Sequence, residues 1–147
     1  MPEQRHDDDV PDFRLLFEKS PGSYLVITPA FRIIAVSDAY LRATMTERQK
    51  ILGQLLFEVF PDNPGDLRAD GVSNLRHSLL TVMQTRAPDK MDIQKYDIRK
   101  PDSEVFEARY WSPLNTQILG DDGYVRWIIH QVEDVTELVT LRKASKI

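Results

Sequence analysis

Residues 120–137 read Gly120-Asp121-Asp122-Gly123-Tyr124-Val125-Arg126-Trp127-Ile128-Ile129-His130-Gln131-Val132-Glu133-Asp134-Val135-Thr136-Glu137, and each part of this stretch specifies a backbone state. The turn formers Gly120 to Gly123 close one extended segment and open another. A strand is predicted over Tyr124–Val132, and its alternation puts Ile128, His130 and Val132 on one face and Trp127, Ile129 and Gln131 on the other. Asp134 and Thr136 then carry short side-chain oxygens suited to capping a helix that begins near Thr136. Val135, Leu138 and Leu141 or Arg142 continue it at helical spacing.

Working back from this stretch, two further strands are predicted at roughly Met91–Ile98 and at Val105–Leu114 continuing toward Leu119, joined across Lys100-Pro101-Asp102-Ser103. Before them a helix runs from about Asp70 to Thr85, its buried stripe drawn by Val72, Leu75, Leu79, Val82 and Met83, and Ala87-Pro88-Asp89 stops it. Pro61 to Gly65 is a loop, Leu55 to Phe60 an apolar turn, and Gly53 suits a helix exit. Thr46 with Gln49 has capping-box spacing for one short helix, and Ser37 and Asp38 can cap another near Ala39. Tyr24–Ile27 and Phe31–Val36, separated by Thr28-Pro29-Ala30, form a hairpin pattern. Phe13, Leu16 and Phe17 lie on one face of a short helix ended by Pro21-Gly22. Five strands with helices grouped in the middle make an α+β domain, an antiparallel sheet carrying its helices on one face.

With 147 residues, 41% of them hydrophobic and 29% charged, the chain fits one domain. Residues 1–10, with Asp7, Asp8 and Asp9 in a row, read as a disordered leader; residues 11–134 form the domain and 135–147 its C-terminal helix. No secretory pattern opens the chain, and it lacks any run of about 18 apolar residues that would span a membrane. A cytoplasmic location without membrane contact is the expectation. The formal net charge is −4 and the 19 Lys and Arg are scattered, which argues against nucleic acid as a partner. The absence of cysteine removes disulfides, thiolate catalysis and Cys-held zinc or iron–sulfur clusters.

Several segments together resemble the PAS domain family, the sensory boxes of bacterial signalling proteins such as sensor histidine kinases. Asp134-Val135-Thr136-Glu137 is similar to the family's Asp-(Ile/Val)-Thr-(Glu/Asp) exit signature. Gly120 to Gly123 resembles the turn before the last strand, Ile33 to Tyr40 the second strand running into a helix, and Gly53 to Asp62 the Gly-x-x-x-Phe-x-x-Phe-Pro-Asp segment. The match spans roughly residues 13–140. It implies a five-stranded sheet in spatial order 2-1-5-4-3, a cavity between sheet and helices that takes a small molecule or cofactor, homodimerisation, and output through the C-terminal helix. Two positions depart from the pattern. Ser37 stands where many members have Asn, which keeps the cap and leaves one backbone clamp in question, and Asp102-Ser103 replaces the commoner Asp-Gly of a tight turn.

Under this resemblance Asp134 and Thr136 are candidates for signal transmission, against a plain capping role. His130 on the cavity wall, Asn115 and Tyr96 are candidate ligand contacts. His77 joins them because haem-binding members present their axial ligand on this helix, but it lies about 200° from the apolar stripe set by Leu75, which disfavours haem. Arg109, Tyr110, Trp111 and Asn115 could gather around a flat ligand such as flavin, although strand aromatics are more often core, and flavin is disfavoured too. Without cysteine no cysteinyl chromophore can form. Phe13, Leu16 and Phe17, with Trp127 and Ile129 on the outer sheet face, are candidates for a homodimer interface.

Three functions compete. The first is a ligand-responsive regulatory domain of a signal-transduction system acting on an effector such as a histidine kinase. The second is a ligand-free dimerisation or protein-interaction module. The third, an enzyme using Asp92 or Asp97 with His130 for proton transfer, has no supporting motif, so no catalytic residue is expected.

Overall fold

The computed structural model describes residues 10–145; the leader expected over residues 1–10 lies outside them except for Val10. In chain order the elements are α1 (Phe13–Lys19), β1 (Ser23–Ile27), β2 (Ile33–Val36), α2 (Asp38–Thr44), α3 (Arg48–Ile51), α4 (Leu56–Val59), α5 (Gly71–Thr85), β3 (Asp89–Lys90), β4 (Gln94–Lys95), β5 (Ile98–Arg99), β6 (Phe106–Glu107), β7 (Tyr110–Leu119), β8 (Val125–Asp134) and α6 (Thr136–Ala144). The antiparallel sheet runs β2-β1-β8-β7-β3, with β4 also paired to β7. This is the expected α+β arrangement, in which the last long strand lies between the first and the one before it.

The β7–β8 ladder extends from Trp111 opposite Asp134 to Leu119 opposite Val125. Its turn closes through a 2.9 Å bond from the Gly120 amide to the Tyr124 carbonyl. Gly123 takes φ +80° there, a left-handed conformation that suits glycine. The inward faces supply the core: Leu25, Ile27, Ile33 and Ile128 of the sheet are buried with Leu79 and Val82 of α5. Burial of such side chains contributes about 1.5–3 kcal/mol apiece.

Four sequence expectations need correction. The third strand is not continuous over Met91–Ile98. Between the β3 and β4 pairings three residues, Met91 to Ile93, face two on β7, Ser112 and Pro113. Pro113 has no N–H to give the edge, so the ladder breaks into a bulge opposite it. The fourth strand is likewise split, with β5 and β6 forming a separate small hairpin around Asp102 at φ +53°. Thr46 does not cap α3: its hydroxyl pairs with that of Thr44 at 2.8 Å, and Glu47 precedes the helix without a side-chain cap. On α5 the buried set is Gly71, Leu75, Ser78, Leu79 and Val82, so Val72 and Met83 are only half-buried. A Cβ on Gly71 would lie 2.5 Å from the Tyr96 ring, which packs directly on the helix backbone.

Ser37 holds the hairpin to α2. Its hydroxyl donates to the Gly22 carbonyl at 2.9 Å and accepts from the Tyr24 amide at 2.9 Å and, as helix cap, from the Tyr40 amide at 3.4 Å. The clamp is therefore present with serine. α1 docks differently, because none of its residues is buried. Phe17 stacks on Tyr24, and an ionic cluster joins Arg48 to Glu18 at 3.6 Å and to Asp38 at 2.7 Å, with Lys19 on Asp38. Ser37→Ala should destabilise the domain by about 1–2 kcal/mol, since it removes a cap and leaves the Gly22 carbonyl and Tyr24 amide without their partner. Urea unfolding measures this, and an unchanged midpoint would mean that the clamp adds nothing.

Candidate functional site

Between the sheet's inner face and the helices is a cavity walled by Tyr40 and Thr44 of α2, Leu75 of α5, Trp111 of β7, and His130 and Val132 of β8. The space open to the centres of water-sized molecules is about 40 Å³. That is room for about three waters, too little for the fused rings of a flavin or a haem. Among its polar lining groups, the Thr44 hydroxyl donates to the Tyr40 carbonyl and the Tyr96 hydroxyl to the Phe60 carbonyl. The Tyr40 hydroxyl has no partner among the described residues.

A continuous line of side chains runs from the sheet edge to this wall. Ser78 Oγ donates to Asp89 Oδ2 at 2.5 Å. Asn115 Nδ2 donates to Ser78 Oγ at 2.8 Å, and Asn115 Oδ1 meets His130 Nδ1 at 2.6 Å. Asn115 is 0% and His130 4% exposed. Asn115 and His130 are directly cross-strand, β7 to β8, which is why they touch. The Tyr40 ring stands edge-on to the imidazole at 6.1 Å. Burial pushes the His130 pKa down to about 4, because its charged form would lose hydration. The same effect raises the Tyr40 hydroxyl pKa. Both groups are neutral at pH 7.

His130 and Tyr96 both line the cavity, whereas Asn115 lies behind the wall, bonded to His130; the Tyr96 carbonyl accepts from Trp111 Nε1 at 2.8 Å. His77 is on the exposed side of α5, away from the cavity. The proposed aromatic cluster divides, because alternation turns Trp111 and Asn115 inward but Tyr110 toward α6, where its hydroxyl accepts from Lys143. Neither carboxylate weighed for proton transfer is bonded to His130: Asp97 accepts from Asn63 and Lys95, and Asp92 is exposed. Sequence reasoning missed Ser78, Asp89 and Tyr40. Ser78 lies three residues after Leu75 on the same helical face, and that spacing was the available signal.

At the other end of the sheet Asp134 Oδ1 accepts from the Thr136 amide at 3.0 Å and hydroxyl at 2.6 Å, and Thr136 Oγ1 accepts from the Tyr110 amide at 2.9 Å. Arg109 bridges outward from this junction, donating to Asp134 Oδ2 at 3.3 Å, to Glu107 at 2.7 Å and to the Ala43 carbonyl of α2 at 2.9 Å. Of the interface candidates, Phe13 is 72%, Leu16 57% and Trp127 37% exposed, while Phe17 and Ile129 are half-buried. No described helix is long and apolar enough to cross a membrane.

A family model described as PAS fold matches residues 17–140. Solved structures share the architecture at low identity. The sensory box sensor histidine kinase from Vibrio cholerae is 18% identical, with 84% of this chain and 88% of that one covered at a TM-score of 0.58. The PAS domain from Bordetella pertussis BvgS is 21% identical, over 95% and 96%, at 0.62. The PAS domain of a protein from Colwellia psychrerythraea is 11% identical, over 84% and 93%, at 0.64. No curated protein matches the chain by sequence.

The lowered His130 pKa has a consequence for stability. Between pH 6.5 and about 4 the unfolded chain takes up a proton at this residue that the folded chain refuses, so stability falls as pH drops through that window. Relative to His130→Gln, the wild type should lose on the order of 3 kcal/mol between pH 7 and pH 4. Parallel urea titrations of the two proteins measure the difference, and a constant offset would show that His130 protonates normally in the fold.

Proposed function

Because the chain belongs to the PAS fold family, we propose that it is a signal-sensing regulatory domain that takes a small molecule into the cavity between sheet and helices and relays the change through α6. The observation that carries this reading is the position of Arg109. α2 lines the cavity with Tyr40 and Thr44, and the carbonyl between them in sequence, that of Ala43, is held by the guanidinium that also holds Asp134. A shift of α2 on ligand entry therefore pulls on Asp134, whose carboxylate receives the amide and hydroxyl of Thr136, the first residue of α6. Asp134 and Thr136 transmit the signal in this reading, and His130, Asn115 and Tyr96 organise the site. The effector is an attached or docked partner such as a histidine kinase, in keeping with the Vibrio cholerae protein, and the domain works in the cytoplasm without catalysis of its own.

One observation favours a second reading, a homodimerisation or protein-interaction module. Phe13, Leu15 and Leu16 leave α1 with an apolar surface exposed to solvent, and Trp127 and Ile129 add apolar area on the outer sheet face. A short helix held only at one edge gains stability when such a face is covered.

Small uncharged fragments screened by amide NMR separate the two. At least one should shift the Tyr40, Thr44 and His130 amides together with those of Thr136 to Leu138, and Arg109→Ala should keep the first set while losing the second. If no fragment moves the cavity amides, the sensing reading fails; if α6 responds equally without Arg109, the relay fails. For assembly, Leu16→Glu should convert a dimer to a monomer in sedimentation, and a wild-type protein that is already monomeric would remove the second reading.

A further inference from the structure

We infer that the cavity is built for small, uncharged hydrogen-bond donors, because the buried chain starting at Asp89 delivers an unprotonated imidazole nitrogen to its wall. This rests on the ligand-binding reading above and specifies its chemistry.

The direction of each bond in the chain follows from its first member. Asp89 is a carboxylate and can only accept, so the single hydroxyl proton of Ser78 points to it across 2.5 Å. Ser78 then has only lone pairs to offer, and the Asn115 atom 2.8 Å away must be its amide nitrogen. A second hydrogen of that nitrogen points to the Met91 sulfur at 3.5 Å, which agrees with the same orientation. Asn115 therefore turns its oxygen to His130, and the ring nitrogen 2.6 Å from it, Nδ1, must carry the proton. A neutral imidazole has one N–H, so Nε2 is left with a lone pair. Nε2 has no partner among the described residues.

The alternative, a doubly protonated ring, has no support from its surroundings. Asp89 is separated from the imidazole by two intervening side chains, and burial opposes the charge. The lone pair is thus fixed by a hydrogen-bond sequence whose origin lies at the sheet edge.

The rest of the lining decides what can meet this lone pair. None of the lining side chains bears a full charge. An ionic ligand would lose its hydration without a counter-charge, a cost that an uncharged one avoids. The free space of about 40 Å³ admits only a few heavy atoms. Tyr40, whose ring stands T-shaped to the imidazole and lines the same cavity, carries a hydroxyl that can donate or accept. A primary amide or small alcohol satisfies all of these conditions. A ketone of the same shape leaves the Nε2 acceptor unpaired, and a carboxylate adds an uncompensated charge.

The test uses acetamide, acetone and acetate, which share a methyl–carbonyl frame, titrated into the full chain near neutral pH while the Tyr40, Thr44 and His130 amides are followed by NMR. Acetamide should bind at least about tenfold more tightly than either of the others, the discrimination expected when a site's buried acceptor is left unpaired. In Asp89→Ala the Ser78 proton is released to turn toward Asn115, the amide can reverse, and His130 is free to exchange tautomers. The preference should then fall to about twofold or less, whereas Asp89→Asn, which keeps an oxygen to receive the Ser78 proton, should retain it. Equal or tighter binding of acetone or acetate, or an undiminished preference in Asp89→Ala, overturns this inference alone. If none of the three moves the cavity amides, the ligand-binding reading of the site falls with it.

Discussion

Asn115 sits in the middle of the sheet with no exposed surface, and a buried amide without partners costs about 1–3 kcal/mol. Its neighbours are arranged around that constraint. His130 lies directly across on β8, Ser78 comes down from α5, and Asp89 at the β3 edge anchors Ser78 in turn. One polar line thereby fixes the seating of the long helix over the sheet, the pairing of the two longest strands and the protonation state of the imidazole. The apolar core supplies most of the folding free energy, but it does not specify orientation as a directional chain does.

The fold was readable because its signals are local and strong. The Gly120–Gly123 turn, the Ile128/His130/Val132 alternation and the Ser37 cap each depend on neighbours within a few residues. Alternation placed His130 on one face with Ile128 and Val132, and the family resemblance turned that face inward. What escaped was set by contacts distant in sequence. Asn115 and Ser78 are far apart along the chain, and Ser78 reads as an ordinary polar residue on a helix until the sheet is placed beneath it. Pro113 could have been read as a warning against an unbroken edge strand, since a proline facing an edge supplies no N–H. Thr46 shows the limit of short motifs, because its hydroxyl found a nearer partner in Thr44 than in the helix it was expected to cap.

The cavity and the strand-to-α6 junction are different parts of one sheet. β8 presents His130 to the cavity and, four residues later, Asp134 to α6. Arg109 connects that same aspartate to the cavity helix through the Ala43 carbonyl. Both connections are short and polar, so a displacement of less than an ångström at α2 is enough to change a hydrogen bond at the junction. Strand continuity and the Arg109 bridge offer two routes between the same ends, and the bridge is the one that a single substitution can remove without touching the core.

Everything at the cavity wall depends on a neutral His130 with its proton on Nδ1 and its lone pair on Nε2. Nitrogen-15 NMR of the histidine rings at pH 7, repeated down to about pH 5, measures this directly. One imidazole should show a protonated Nδ1 and an unprotonated Nε2 shift, nearly unchanged over that range. An imidazolium signature at pH 7, or the opposite tautomer, would contradict it.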